Sequence, residues 1–149
     1  MMDINLKVRK LRENAALPEY ATPGSAAMDL RAALDKPLSL PPGKRALVPT
    51  GFAIGLPSRE YVALIFARSG LAVKSGVALS SGVGVIDSDY TGEVLVGLIN
   101  QSDTEFVINP GDRIAQLAVL PVCHASVVVT QCLETTKRGS GGFGSTGGK

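Results

Sequence analysis

Two carboxylates, Asp87 and Asp89, lie two positions apart directly after the apolar pair Val85 and Ile86. If the strand continued through them, both side chains would face the same side, because side chains alternate along a strand. Two neighbouring carboxylates can bind a metal ion or take a proton from an attacking water molecule. A plain polar turn explains Asp-Ser-Asp-Tyr equally well, so this segment alone does not decide between chemistry and a turn.

The residues just before these carboxylates, 80–86, combine glycine with small and apolar side chains. This composition predicts a hairpin whose backbone can be closely approached by a ligand. Backbone N–H and C=O groups at strand spacing can recognise the donor and acceptor edge of a pyrimidine. The segment therefore indicates a base-binding site that needs no side chains.

A third segment, Arg68-Ser69-Gly70, precedes a short stretch that can form one helical turn or two. Ser69 is expected to cap a helix over residues 70–74, and Gly76 lies just beyond its end. The free N–H groups and the positive dipole end of such a helix favour an anion. Together with the guanidinium of Arg68, the helix start predicts an anion site, although Arg-Ser-Gly by itself is a common tripeptide.

The last residues, from about Thr135 onward, form a glycine-rich tail that contains Arg138 and Phe143. One aromatic side chain cannot offset the entropy of ordering such a tail, so it is expected to be disordered on its own. Its backbone can approach phosphates, its arginine can bind an anion, and its ring can stack on a base. We interpret the tail as a flap that orders over a nucleotide. Its glycine spacing matches a dinucleotide fingerprint, but no βαβ unit follows to support one.

Two further polar residues stand in apolar surroundings. Asp29 could pair with Arg31 or Arg68 for purely structural reasons. Gln116 follows the turn at Gly111 and lies within an apolar run, where a buried amide must find hydrogen-bond partners.

The elements that position these residues are predicted to be short strands. Apolar and polar residues alternate near the N-terminus, and apolar runs separated by turn residues follow at 61–66, 94–99, 106–108, 114–122 and 127–129. Many short strands with frequent turns predict an all-β sandwich or barrel. At 149 residues, the chain is expected to form a single domain.

Composition narrows the function classes. The net charge is only +2, and the one basic cluster, Lys7, Arg9, Lys10 and Arg12, fits a solvated strand face better than a nucleic-acid site. We expect no signal peptide, no membrane span and a cytoplasmic location. Cys123 and Cys132 are expected to be reduced, partly buried and structural, and with a single histidine a zinc site is not expected.

Five segments in this order resemble the motifs of one family, the homotrimeric dUTP pyrophosphatases (dUTPases), over nearly the whole chain. The matching segments are 26–30, 67–71, 84–92, 111–117 and 138–146. Each motif alone is weak or moderate, but all five at compatible spacings are highly specific. The resemblance implies a jelly-roll-like distorted β-barrel with one short helix, a core over residues 1–134 and a mobile tail over residues 135–149. It also implies a homotrimer with active sites shared between subunits.

The resemblance further implies hydrolysis of dUTP to dUMP and pyrophosphate with Mg²⁺. Asp87 matches the residue that activates the attacking water, and Tyr90 matches the ring under the deoxyribose, which leaves no room for a 2′-hydroxyl. Backbone from Gly82 to Ile86, which includes Gly84 and Val85, matches the uracil-reading segment. Ser81 falls where some relatives place a polar side chain.

By the same resemblance, Arg68, Ser69 and Gly70 match the phosphate-binding segment, and Gln116 matches a polar residue lining the site. Asp29 matches a carboxylate that reaches the metal through water, while the substrate phosphates hold Mg²⁺. The flap residues that match are Arg138, Phe143, Gly144, Ser145 and Thr146, with Phe143 stacking on uracil and the others on the phosphates.

Two alternatives stay open. A dCTP deaminase shares the barrel but usually has a longer chain and needs a glutamate-based site that we do not find here. A non-catalytic nucleotide-binding protein would keep the base and phosphate contacts and lose the catalytic carboxylate, which Asp87 argues against.

Overall fold

The structure is a computed structural model that describes residues 4–142, and these residues form eleven strands and one short helix. The elements are β1 (Lys7–Lys10), β2 (Glu19–Tyr20), β3 (Met28–Arg31), β4 (Leu38–Leu40), β5 (Arg45–Gly55), β6 (Tyr61–Phe66), α1 (Ser69–Ser75), β7 (Val77–Leu79), β8 (Gly84–Ile86), β9 (Glu93–Asn100), β10 (Phe106–Ile108) and β11 (Arg113–Pro121).

The strands form a four-stranded sheet in the order β1-β5-β9-β7 and a five-stranded sheet in the order β2-β3-β11-β6-β8, with β10 paired to β4. Every paired strand is antiparallel to its neighbour. Pairing is interrupted in β5 between Pro49 and Ala53 and in β11 between Arg113 and Ala115. This arrangement confirms the predicted all-β, distorted jelly-roll fold.

Alternation along the strands builds the core. In β9, Val94, Val96 and Leu98 are each 1% exposed, whereas the intervening Leu95 is 38% exposed. Burying an apolar side chain of this size contributes about 1.5–3 kcal/mol, so a register slip of one residue would be strongly unfavourable. The core therefore fixes the register that positions the polar residues of the outer faces.

Helix α1 begins one residue earlier than predicted. Arg68 takes the N-cap position in an extended conformation without a side-chain capping bond, so the expected capping role of Ser69 is wrong. The predicted end is confirmed, because Gly76 adopts a left-handed conformation (φ 66°) and its N–H donates to the Ala72 carbonyl at 3.1 Å. A side chain at Gly76 would also lie 2.8 Å from Cβ of Ser102, so glycine is required there.

The predicted hairpin over residues 80–86 is wrong. Strand β7 pairs with β9 in the four-stranded sheet, whereas β8 pairs with β6 in the five-stranded sheet. A turn connects them, with Gly82 at a φ of 76°. The following Asp87-Ser88-Asp89 segment is also a turn, closed by a hydrogen bond from the Tyr90 N–H to the Asp87 carbonyl at 3.2 Å.

Residues 122–142, here called the C-terminal arm, contain no helix or strand, so the predicted strand over residues 127–129 is wrong. The apolar arm residues Val127, Val128, Val129 and Leu133 are 92%, 81%, 94% and 86% exposed. Cys123 and Cys132 are free thiols on the surface of this arm, so the prediction that they are partly buried is also wrong. Between residues 4 and 142, no helix has the length and apolar character needed to cross a membrane.

Candidate functional site

Three strands of the five-stranded sheet bring predicted site residues into one row. Gln116 on β11 lies opposite Asp29 on β3 and opposite Phe66 on β6. Directly opposed residues face the same side of a sheet. The next row, Leu117 with Met28 and Ile65, is buried in the core, so the Gln116 row lies on the outer face.

Arg68, Ser69 and Gly70 continue from the end of β6 beside this row. Together with Asp29, Phe66 and Gln116 they line a cavity of about 450 Å³, which we call the Arg68 cavity. The first N–H groups of α1 have no partner within the helix, as at any helix start. The structure therefore brings together all the residues predicted from the second and fourth motifs, and Asp29 from the first.

Asp29 is only 8% exposed, and both of its carboxylate oxygens are paired. Oδ1 accepts a hydrogen bond from Nε of Arg68 at 3.1 Å, and Oδ2 accepts one from Nη1 of Arg113 at 3.1 Å. The structural pairing with Arg68 is confirmed. The alternative pairing with Arg31 is wrong, because Arg31 bonds Glu19 and the Gly111 carbonyl instead.

Asp29 offsets the charge of only one guanidinium, so the cluster of Arg68, Arg113 and Asp29 carries a net positive charge. Within residues 4–142, the terminal nitrogens of Arg68 make no hydrogen bond, so they are available to an anion. Arg113 was not predicted as a site residue. Its position three residues before Gln116 was visible in the sequence, but the strand register that brings it to Asp29 was not.

The amide of Gln116 has found a partner, as predicted. Its Nε2 donates to the Ala67 carbonyl at 3.1 Å, and the residue is half-buried. This bond fixes the peptide immediately before Arg68 against β11. Gln116 thus helps to hold the predicted anion-binding segment in place.

A second group of predicted residues lines a separate cavity of about 210 Å³, which we call the Tyr90 cavity. Its lining comprises Ile65, Gly84, Val85, Ile86, Asp87, Tyr90, Glu93, Val94 and Leu95. A side chain at Gly84 would place its Cβ 3.0 Å from Cβ of Ile65, a distance tighter than ordinary packing. The glycine therefore lets β8 lie close to β6 and keeps the cavity wall formed by backbone.

Asp87 is exposed and, within the part of the chain that the structure describes, its carboxylate makes no hydrogen bond or ion pair. It also faces a wider cavity of about 660 Å³, lined in part by Arg59, Asp89 and His124. An unpaired carboxylate is free to accept a hydrogen bond from water. Ser81 lies in the turn before β8 and lines neither the Tyr90 cavity nor the Arg68 cavity.

The register keeps Asp87 and Arg68 apart in one chain. Gly84 lies opposite Ile65 and Ile86 lies opposite Ala63, so Asp87 follows at the level of Val62. Arg68, in contrast, lies beyond the other end of β6. At about 3.3 Å per residue, the two backbones are roughly 20 Å apart. The Tyr90 cavity and the Arg68 cavity share no lining residue.

The tail is described only in part. Arg138 is exposed, and its Nε donates to the Gly141 carbonyl of its own turn at 3.0 Å. The other predicted flap residues, Phe143, Gly144, Ser145 and Thr146, lie outside the described residues.

The residues that could bind a metal ion are few. Among residues 4–142, no group of three or more histidine, cysteine, aspartate or glutamate side chains could hold one. Because both oxygens of Asp29 already accept from arginines, this carboxylate suits contact with a cation through water and not direct ligation.

A family model described as dUTPase matches residues 13–147. The chain belongs to the dUTPase family.

Curated dUTPase relatives match along almost their full length. A deoxyuridine 5′-triphosphate nucleotidohydrolase from Desulfitobacterium hafniense is 52% identical over 149 residues, which cover 99% of each chain. The protein of the same name from Paraburkholderia xenovorans is 51% identical over 146 residues, covering 98% of this chain and 99% of that one.

Solved dUTPase structures share the fold. A mutant dUTPase of Staphylococcus bacteriophage 80alpha with dUpNHpp matches with a TM-score of 0.87 and 26% identity, covering 96% of this chain and 98% of the phage chain. A mutant dUTPase of phage phi11 of S. aureus, described with a structural Mg(II) ion, matches with a TM-score of 0.80 and 25% identity, covering 89% of this chain and 100% of that chain.

Proposed function

We propose that this member of the dUTPase family, a dUTP diphosphatase, hydrolyses dUTP to dUMP and pyrophosphate by attack of water on the α-phosphorus. Asp87 is the general base that orients the water and takes its proton. The observation that carries the proposal is the position of Asp87, which is exposed and has no partner among residues 4–142, in the same cavity as Tyr90 and the backbone of β8. The reaction keeps uracil out of DNA and supplies dUMP for dTMP synthesis.

The Tyr90 cavity binds the nucleoside. Backbone groups of Gly84, Val85 and Ile86 read the edge of uracil, and Ser81 lies at the entrance to this strand. The Tyr90 ring packs under the deoxyribose, where a 2′-hydroxyl would collide with it. Discrimination against ribonucleotides thus depends on a ring held in one place.

The Arg68 cavity binds the phosphates. A triphosphate carries about four negative charges, and each unit pair at about 4 Å is worth about 4 kcal/mol at an effective dielectric constant near 20. Arg68 offers its free terminal nitrogens, Ser69 and Gly70 offer the helix start, and Gln116 lines the wall. The positive charge of Arg68 offsets part of the negative charge of the phosphates.

Mg²⁺ fits this site as a cation carried by the substrate. When bound to the phosphates it would neutralise part of their charge and favour attack at phosphorus. Asp29 would contact it through water, because Arg68 and Arg113 occupy its carboxylate oxygens.

The chain acts as a homotrimer in which subunits share each active site. Support comes from the separation of Asp87 from Arg68 along β6 and from two cavities that share no lining residue, which leaves each chain with two half-sites. The apolar C-terminal arm and the outer sheet face, where Val85 is 64% and Leu120 is 38% exposed, provide surfaces for neighbouring subunits.

The tail closes over the bound nucleotide. Phe143 stacks on uracil, while Arg138, Gly144, Ser145 and Thr146 bind the phosphates. Ordering about ten residues costs roughly 10 kcal/mol or more, and several charge-assisted hydrogen bonds of about 1.5–3 kcal/mol each offset that cost only when phosphates are present. Closure excludes water other than the nucleophile.

The test is a side-by-side assay of dUTP, UTP, dCTP and dTTP, with Mg²⁺ and with EDTA. We expect Mg²⁺-dependent pyrophosphate release from dUTP far above the other three nucleotides. Ammonia release from dCTP would instead identify a deaminase. Binding of dUTP without pyrophosphate release would identify a non-catalytic nucleotide-binding protein.

A further inference from the structure

A cluster of hydrogen bonds lies directly behind the Tyr90 cavity, at the first residue of β9. Glu93 accepts three of them through its side chain: from Nε of Arg12 at 3.1 Å, from Nη2 of Arg12 at 3.3 Å, and from the Gly51 N–H at 2.9 Å. Its side chain is 20% exposed. A bidentate contact with arginine and a backbone N–H donor hold the carboxylate in one orientation.

Two of these residues, Arg12 and Gly51, are also connected through their backbones. The N–H groups of Leu11 and Arg12 both donate to the Gly51 carbonyl, at 2.7 and 3.2 Å. Gly51 adopts a φ of 76°, and a side chain there would lie 2.6 Å from Cβ of Ala15, so its peptide has little freedom to move. Arg12, Gly51 and Glu93 thus form a closed network, which we call the Glu93 clamp.

The Glu93 clamp is in direct contact with Tyr90. The Tyr90 hydroxyl donates to the backbone carbonyl of Glu93 at 2.9 Å. The ring lies against Gly92, where an added Cβ would be 2.6 Å from the phenolic oxygen. The ring is therefore held by one hydrogen bond and one close contact, both to the peptide that Glu93 anchors.

We propose that Glu93, held by Arg12 and Gly51, is a positioning residue that fixes the Tyr90 ring and thereby sets the preference for deoxyribose over ribose. The proposal rests on the proposed function, because it takes Tyr90 to be the ring under the sugar. Glu93 lines the Tyr90 cavity, but its carboxylate is occupied by Arg12 and the Gly51 N–H, so it acts through Tyr90. Releasing its side chain lets the peptide and the ring move, which opens space for a 2′-hydroxyl.

The experiment uses the full-length protein and two readouts. The chain has three tyrosines, so incorporation of 3-fluorotyrosine gives three ¹⁹F resonances, and Tyr90→Phe assigns one of them. The second readout is kcat/KM for dUTP divided by kcat/KM for UTP. Both are measured for wild type, Glu93→Ala, Glu93→Gln, Arg12→Gln and the control Glu105→Ala, an exposed glutamate beside β10.

We expect Glu93→Ala and Arg12→Gln to move the Tyr90 resonance while those of Tyr20 and Tyr61 stay unchanged. We expect the dUTP to UTP ratio to fall about tenfold in both, with a higher KM for dUTP. Their double variant should be no worse than either single variant, because both break one clamp. Glu93→Gln keeps an acceptor for the Gly51 N–H, so its resonance shift and its dUTP to UTP ratio should lie between those of wild type and Glu93→Ala. This variant provides the test if Glu93→Ala does not fold. Glu105→Ala should match wild type in both readouts.

A Tyr90 resonance that stays at its wild-type position in Glu93→Ala and Glu93→Gln would overturn the positioning role, and this readout needs no activity. A shifted resonance with an unchanged dUTP to UTP ratio would overturn the link to sugar specificity. Failure of wild type to hydrolyse dUTP would instead count against the proposed function and leave the resonance test of the clamp intact.

Discussion

The Nε atom of Arg68 lies 3.1 Å from Oδ1 of Asp29, so this arginine is held by its inner nitrogen while its outer nitrogens point away from the bond. Asp29 is in turn held from its other side by Arg113. A carboxylate that is hydrogen-bonded to two arginines has little freedom to rotate and holds both guanidinium groups in place. The guanidinium of Arg68 is therefore oriented before any ligand arrives, which lowers the entropy lost on binding.

The first prediction concerns this orientation. Arg68→Lys should lower kcat/KM for dUTP about 100-fold, because an ammonium group cannot pair with Asp29 and present two further donors at the same time. Steady-state kinetics measures the effect. The control is Arg31→Lys. Arg31 lies on the same strand as Asp29, but it forms an exposed ion pair with Glu19 and lies outside the Arg68 cavity. Wild-type kinetics in Arg68→Lys would contradict the role of Arg68.

Asp29→Asn tests the support itself. Loss of the charge leaves two partly buried guanidinium groups without their counter-ion, and we expect the free energy of unfolding to fall by about 2 kcal/mol, below the value for a fully buried pair because both arginines are partly solvated. Urea denaturation gives the value. Asp35→Asn, at an exposed carboxylate that accepts only from Asn14, should change stability by less than about 0.5 kcal/mol. Equal stability of the two variants would mean that Asp29 is not a structural support.

Asp87→Asn should bind dUTP with nearly wild-type affinity and lose most turnover, by about a factor of 100 to 10,000, because the amide cannot accept the proton of the attacking water. Calorimetric titration with a non-hydrolysable analogue measures binding, and pyrophosphate release measures turnover. Asp89→Asn is the matched control in the same turn and should stay within a few-fold of wild type. A fully active Asp87→Asn variant would show that Asp87 is not the general base.

Local patterns predicted the strands well. Alternation in β9 and the apolar run of β6 were sufficient to find both elements, because one face of each strand packs in the core. The end of α1 was also predictable, since Gly76 is needed for a left-handed conformation. These features depend on neighbouring residues along the chain, and sequence reports them directly.

Pairing between distant segments was not predictable. Residues 80–86 have a hairpin-like composition, yet β7 pairs with β9 and β8 pairs with β6, so the two strands join different sheets. The valines of the C-terminal arm have strong strand propensity, but within residues 4–142 they pair with no strand. In the same way, Arg113 and Glu93 owe their positions to register and to a distorted part of β5, which no local motif encodes.

Deletion after Lys137 should lower kcat/KM for dUTP at least 100-fold without lowering the melting temperature. Among residues 4–142 the last strand ends at Pro121, so the described residues that the deletion removes, 138–142, make no sheet hydrogen bond and do not belong to the buried core. Phe143→Ala tests the stacking contact alone and should have a smaller effect, of about 1–3 kcal/mol in binding. Unchanged kinetics in the truncated protein would contradict the proposed closure by the tail.

Two variants, each with a substitution in one cavity, can show whether an active site combines residues of different subunits. Asp87→Asn alters the Tyr90 cavity but not the Arg68 cavity, and Arg68→Lys alters the Arg68 cavity but not the Tyr90 cavity, because the two cavities share no lining residue. Co-expressed with different tags and purified through both, the two variants form mixed oligomers. If each site takes its two cavities from different subunits, one of the three interfaces in every mixed trimer contains an intact Asp87 and an intact Arg68, and about a third of wild-type turnover should return after purification through both tags. If both cavities of one chain formed a single site, every site would carry one of the two lesions, and the mixture would stay as inactive as its parts.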